Sequence, residues 1–181
     1  MELDKATILE ALNLLNSRLA ERKISGEICI FGGTAMVLAF SARVSTKDVD
    51  ALFHPASEIR EIAKDVGEEL HLPSDWLNDG VKGFVSSAHQ VTTQNMPQFS
   101  NLVVTMPVPE YLLAMKCMAA RIAHSPNEPD DVKDIKFLIK YLKLRSPQEV
   151  FEKVENYYAA DQISVKTKYL IEGLFDEKRS T

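Results

Sequence analysis

The segment at residues 28–53, ICIFGGTAMVLAFSARVSTKDVDALF, constrains the fold more than any other stretch. An apolar run meets two glycines, a helix-length apolar stretch follows, and a second apolar run opens with Asp48 and Asp50. Glu27–Phe31 is short and rich in β-branched and aromatic residues, which predicts a strand. Gly32-Gly33 predicts a tight turn, and Thr34 a cap for the helix AMVLAF. SARVSTK is polar and basic, hence a loop, and VDALF is a second strand. Residues two apart on a strand share a face, so Asp48 and Asp50 project together while Val49 points the other way. Neighbouring carboxylates repel, and burial without partners strips each of its solvation. A divalent cation relieves both effects. Hard carboxylate oxygens suit magnesium, which completes its shell with phosphate oxygens and water. Gly32 and Gly33 let backbone N–H groups approach a ligand, Thr34 adds a hydroxyl, and the following helix aims its positive end at the same place. The segment therefore reads as a site for a nucleotide and a metal ion.

Elsewhere, Ile8, Leu9, Leu12, Leu14, Leu15 and Leu19 recur at helical spacing over residues 5–22. ASEIREIAKDVGEELH is an amphipathic helix after Pro55, with Ile59, Ile62, Ala63 and Val66 on one face. Residues 71–98 carry little pattern, and a short strand near Gly83–Ser86 is the expectation there. FSNLVVTM is a clear strand. From about residue 107 only helices follow: EYLLAMKCMAARIA, VKDIKFLIKYLK, PQEVFEKVENYYAA with Pro at its first position, and SVKTKYLIEGLFDE with a Ser164 cap. Alternating strands and helices followed by helices alone predict an α/β (α+β) fold. Its expected parts are a core of residues 1–106, with a small mixed sheet flanked by helices, and a C-terminal helical region of residues 107–181 packed on it.

The segment GGTAMVLAFSARVSTKDVD resembles the signature of the nucleotidyltransferase (polymerase-β-like) superfamily. More narrowly it resembles the AbiEii-like and other minimal nucleotidyltransferases, some of which are toxins of toxin–antitoxin systems. Arg43-Val44-Ser45-Thr46-Lys47-Asp48-Val49-Asp50 is close to their Arg-x-Ser/Thr-x-Asp-apolar-Asp pattern, one residue longer. Lys116, Arg121, Asp131 and Asp134 match a downstream helix, turn and helix of the family. The resemblance implies that Asp48 and Asp50 hold Mg²⁺ on a nucleoside triphosphate, and that Gly33 and Thr34 contact its phosphates. Lys116 would add charge as a further catalytic residue, and Gly32, Arg43, Lys47 and Asp131 would complete the nucleotide site. The implied acceptor is tRNA, a protein side chain or a small molecule, and an antitoxin is an implied partner. In one departure from the family, FSNLVVTM carries no third carboxylate. Glu110 lies beyond it at a helix start, and Asp79 falls in the segment of weakest pattern. A one-metal enzyme and a catalytically degenerate nucleotide- or partner-binding module both fit this departure, and an interaction protein with an accidental Asp-Val-Asp is the third reading.

Each of the other candidates also has a structural reading. Lys116 either reaches a phosphate or snorkels at a helix edge. Arg121 would pair with Asp131 or Asp134. Asp130, Asp131 and Asp134 either bind metal or charge the first turn of a helix. Arg43 and Lys47 either neutralise a triphosphate or form a solvated loop. His54, His71, His89 and His124 lack paired metal spacing, and Ser86-Ser87 lacks the setting of a nucleophile. Phe151, Tyr157 and Tyr158 read as core of the helical half. With 45% hydrophobic and 26% charged residues, the composition is that of a soluble globular protein. A net charge of −5 gives no general attraction to nucleic-acid backbones. No membrane helix, signal peptide or zinc spacing is read, and Cys29 and Cys117 read as buried thiols, so the expected location is the cytoplasm.

Overall fold

The computed structural model describes residues 1–120 and 129–176. They form a mixed α/β fold of seven α-helices, a five-stranded mixed sheet and a two-stranded sheet. The chain divides into two compact units, Met1–Gly83 with Val91–Pro107, and Phe84–Gln90 with the chain from Val108 onward. Arg121, His124 and the KRST tail lie outside the described residues.

The first unit starts with a two-residue strand, β1 (Leu3–Asp4), and helix α1 (Lys5–Glu21). Asp4 caps the helix, its carboxylate accepting from the Thr7 N–H at 2.8 Å. Then come β2 (Gly26–Ile30), α2 (Gly32–Phe40), β3 (Ser45–Thr46), β4 (Val49–His54) and α3 (Ala56–Glu69). Two-residue strands β5 (Leu77–Asn78) and β6 (Val91–Thr92) precede β7 (Leu102–Pro107). The sheet order is β5-β4-β2-β7-β6. β2 runs antiparallel to β4 and parallel to β7, β4 is parallel to β5, and β6 is antiparallel to β7.

Sequence alternation decides what each face of the sheet does. Gly26, Ile28 and Ile30 share one face of β2, and all three are buried. A Cβ on Gly26 would meet Leu19 at 2.9 Å and Ile59 at 3.2 Å, so α1 and α3 cover this face. Leu12, Leu15 and Leu19 from α1, and Ile59, Ile62 and Val66 from α3, complete the layer. Each such side chain contributes about 1.5–3 kcal/mol when removed from water. At the rim of the two helices Arg18 pairs with Glu69 at 2.9 Å and Arg22 with Glu61 at 2.9 Å. These pairs face solvent and add little. The opposite face carries Cys29 on β2, Asp50 and Leu52 on β4, and Thr105 on β7, placed in register by the pairs Cys29↔Leu52 and Cys29↔Thr105.

Residues 71–98 differ from expectation. No strand forms at Gly83–Ser86, and Gly80–Phe84 is a 3-10 turn. The segment is fixed instead by Trp76, whose buried indole N–H donates to the Ala63 carbonyl at 2.8 Å. The Trp76 carbonyl accepts from Val49 N–H at 2.6 Å, which brings β5 alongside β4.

The second unit holds α4 (Pro109–Ala119), α5 (Asp130–Tyr141), α6 (Pro147–Glu155) and α7 (Val165–Asp176). α4 is buried almost all round and packs against α5, α6 and α7. Ser146 and Ser164 cap α6 and α7, accepting from the N–H groups of Glu149 and Thr167. Phe151, Tyr157 and Tyr158 are half-buried rather than core. Tyr157 packs on Tyr111 with ring centroids 4.7 Å apart, and the Tyr158 hydroxyl donates to the Phe84 carbonyl at 2.7 Å.

Candidate functional site

The site in the first unit is built where β2 ends and α2 begins. Phe31 N–H donates to the Asp50 carbonyl at 2.8 Å, so β2 and β4 stay paired up to the diglycine. Gly32 then takes φ +60, a left-handed conformation that glycine adopts without steric cost. A Cβ there would stand 3.1 Å from Asp50 Oδ2, so the Asp50 carboxylate lies against the bend. Gly33 is crowded from the other side. A Cβ on it would meet Thr46 Oγ1 at 2.5 Å and Arg43 Nη1 at 3.2 Å. Glycine at 32 is favoured by its positive φ and glycine at 33 by its close approach to the basic loop.

Thr34 does not cap the helix. α2 already begins at Gly32, with Phe31 at the cap position and no side-chain cap bond. The Thr34 side chain is buried and its hydroxyl donates to the Asp48 carbonyl at 2.8 Å. It holds the residue before β4 in place, and Asp48 itself lies just outside the strand. Asn78 on β5 donates from Nδ2 to Asp48 Oδ2 at 3.2 Å. Sequence reading missed Asn78, whose place depends on the two-residue pairing Asp50↔Asn78.

Burial lifts the Asp48 carboxyl above the ordinary range, and repulsion from Asp50 adds to it. The Asn78 hydrogen bond pulls the other way, Asp75 raises it further and Lys47 lowers it. Neither Asp48 nor Asp50 has an ion-pair partner among the described residues. Asp48 and Lys47 also border an open recess of about 420 Å³, together with Met1, Glu2, Pro73 and Asp75. Recesses of this size suit a small ligand. Gly32, Gly33, Thr34, Arg43, Asp48 and Asp50 thus lie around one corner of the fold, with Lys47 at the recess.

Of the acids weighed as a third ligand, Asp79 is engaged by Arg60 at 2.6 Å and by Lys82. These cations hold its carboxyl below the usual range, Lys82 first. Glu110 sits in the first turn of α4. On β7, the residues that share Asp50's face are Val103, Thr105 and Pro107, none of them acidic. Among the described residues no group of three or more His, Cys, Asp or Glu side chains is placed to hold a metal ion.

Lys116, in the second unit, neither snorkels nor lies at a helix edge. It is 6% exposed, and its Nζ stands 2.7 Å from Asp134 Oδ2 and 3.0 Å from Asp131 Oδ1. Asp130 and Asp131 sit in the first turn of α5, where acidic charge suits the helix dipole, and Asp134 lies one turn further on. Pro129 occupies the cap position, and Asp130 pairs with Lys133 at 3.1 Å. Cys117, buried beside Lys116, has its thiol pushed up to about 12, and burial lifts Cys29 to about 11, so both stay protonated.

No family model, no curated protein and no solved structure matches this chain.

Proposed function

We propose that the protein is a nucleotidyltransferase-fold enzyme that moves a nucleotidyl group from a nucleoside triphosphate to a hydroxyl acceptor. One observation carries the reading. The Asp50 carboxylate lies against a diglycine bend that starts a helix, Asp48 is close enough for repulsion from Asp50 to help lift its carboxyl, and neither has an ion-pair partner among the described residues. Such a pair fits a hard divalent cation by its donor chemistry. Asp48 and Asp50 would hold magnesium, which when bound neutralises charge on the triphosphate. The N–H groups at the start of α2 face the negative phosphates. Arg43 and Lys47 add positive charge beside the same bend. An acceptor oxygen then forms a bond to the α-phosphorus, pyrophosphate leaves with the electron pair of the broken P–O bond, and the acceptor proton passes to solvent. Positioning and charge neutralisation supply most of the acceleration in such transfers.

Lys116 and Asp131 join this reading through the family resemblance. The Lys116 ammonium gives donors to Asp131 and Asp134 within the second unit. The acceptors in view are tRNA, a protein side chain and a small molecule, and an antitoxin would be the partner of a toxin of this type. A catalytically degenerate nucleotide- or partner-binding module is the second reading, and the absence of an acid at Val103, Thr105 and Pro107 of β7 favours it. Incubation with each α-labelled nucleoside triphosphate, magnesium and cellular RNA, protein or metabolite fractions separates the two. An enzyme transfers label and loses it with Asp48→Asn. A binding module transfers none.

A further inference from the structure

We propose that residues 1–5 form a strap that positions the loop carrying Arg43, Lys47 and Asp48, with Leu3 and Glu2 as its positioning residues. The inference rests on the nucleotidyl-transfer reading of that loop. β1 pairs antiparallel with β3 through Leu3↔Thr46 and Asp4↔Ser45. This two-stranded sheet stands apart from the five-stranded one, so the loop's regular backbone pairing comes from the strap. Leu3 is 1% exposed and anchors the strap by burial. The Ser45 hydroxyl donates to Glu2 Oε2 at 2.9 Å, and Lys5 Nζ donates to the Leu38 carbonyl near the end of α2 at 3.0 Å.

The strap reaches the site by two routes. Thr46, paired with Leu3, places its Oγ1 where it crowds Gly33. Asp48 follows two residues later, its backbone clasped by Thr34. Met1 and Glu2 also border the recess that Lys47 and Asp48 line. A two-residue ladder has little stability of its own, so its order depends on the Leu3 anchor. Loss of that anchor would let residues 43–48 move while the sheet and α3 stay folded.

The test combines hydrogen exchange with calorimetry on the full chain, comparing the unsubstituted protein with Leu3→Ala, Leu3→Val and Glu2→Ala. Exchange at amides 43–48 should rise about tenfold in Leu3→Ala and about threefold in Glu2→Ala, while amides 59–66 of α3 keep their protection. Leu3→Val should restore most of it. Titration with each of the four nucleoside triphosphates and magnesium should show a Kd raised by similar factors. Should Leu3→Ala fail to fold, Glu2→Ala decides alone. Unchanged exchange at 43–48, or a rise shared equally by 59–66, would overturn the strap. Heat with the unsubstituted protein and an unaltered Kd in both variants would overturn its link to the site. No heat with any triphosphate would remove the nucleotidyl-transfer reading instead.

Discussion

The Nζ of Lys116 stands 2.7 Å from Oδ2 of Asp134, with side chains only 8% and 2% exposed. A charge pair so placed holds α4 to α5 through groups that cannot be left alone. Removing one partner strands the other in a medium that solvates it badly. Lys116→Met should therefore destabilise the protein by about 3–5 kcal/mol. Lys116→Met with Asp134→Leu should recover part of that loss, and Asp131→Asn should cost less than Lys116→Met because Asp131 is 32% exposed. Urea denaturation of the three variants measures the order.

The diglycine is testable through its neighbours. Gly33→Ala places a Cβ 2.5 Å from Thr46 Oγ1, where something must move, at a cost of about 1–3 kcal/mol. Thr46→Ala in the same chain should return much of it, so the two changes should be non-additive in denaturation. Gly32→Ala should destabilise for another reason, strain at φ +60 of about 1–2 kcal/mol, and Thr46→Ala should not relieve it.

Asp48 gives a dependence on pH. Its carboxyl in the fold titrates above the ordinary aspartate value of 3.8, chiefly because of burial. Between that value and the raised one, the folded state keeps a proton that the unfolded chain has released. This group's contribution to stability therefore falls as pH rises through the window. Asp48→Asn removes the effect. Its stabilising gain should be absent near pH 3 and full at neutral pH, about 0.5 kcal/mol for a pair partly open to water. Urea midpoints of both proteins from pH 3 to 7 measure the gap, and a gap that shrinks with pH would contradict the account.

Ligand should reverse that ranking. At a magnesium–triphosphate concentration a hundredfold above Kd, the unsubstituted protein should gain about 2.7 kcal/mol. Asp48→Asn and Asp50→Asn should gain far less. Chelation of magnesium should abolish the gain, as thermal unfolding followed through the single Trp76 would report.

The parts of this fold legible in the sequence are those whose order is local. The alternation of β2 and the apolar stripe of α3 predict their elements because each repeats its own pattern. The corner at Gly32–Asp50 was legible for the same reason, since a bend, a helix and an acidic strand each carry a signal. What escaped depends on partners far along the chain. β1, β3, β5 and β6 are two residues long and exist only by pairing. Asn78 reaches Asp48 only because Trp76 docks its segment beside β4. Thr34 has the chemistry of a cap, yet its hydroxyl serves the next strand, because the helix starts three residues earlier than composition suggests. Lys116 reads as a lone cation on an apolar helix, and its partners lie 15 and 18 residues on, beyond a stretch whose sequence carries no pattern.

The most direct measurement is anomalous diffraction from crystals grown with manganese in place of magnesium and each nucleoside triphosphate. The account predicts one peak bonded to both Asp48 and Asp50, with a phosphate oxygen in its shell and the triphosphate against the start of α2. A bound triphosphate with its metal elsewhere, or saturating metal with no peak at the two aspartates, would contradict it.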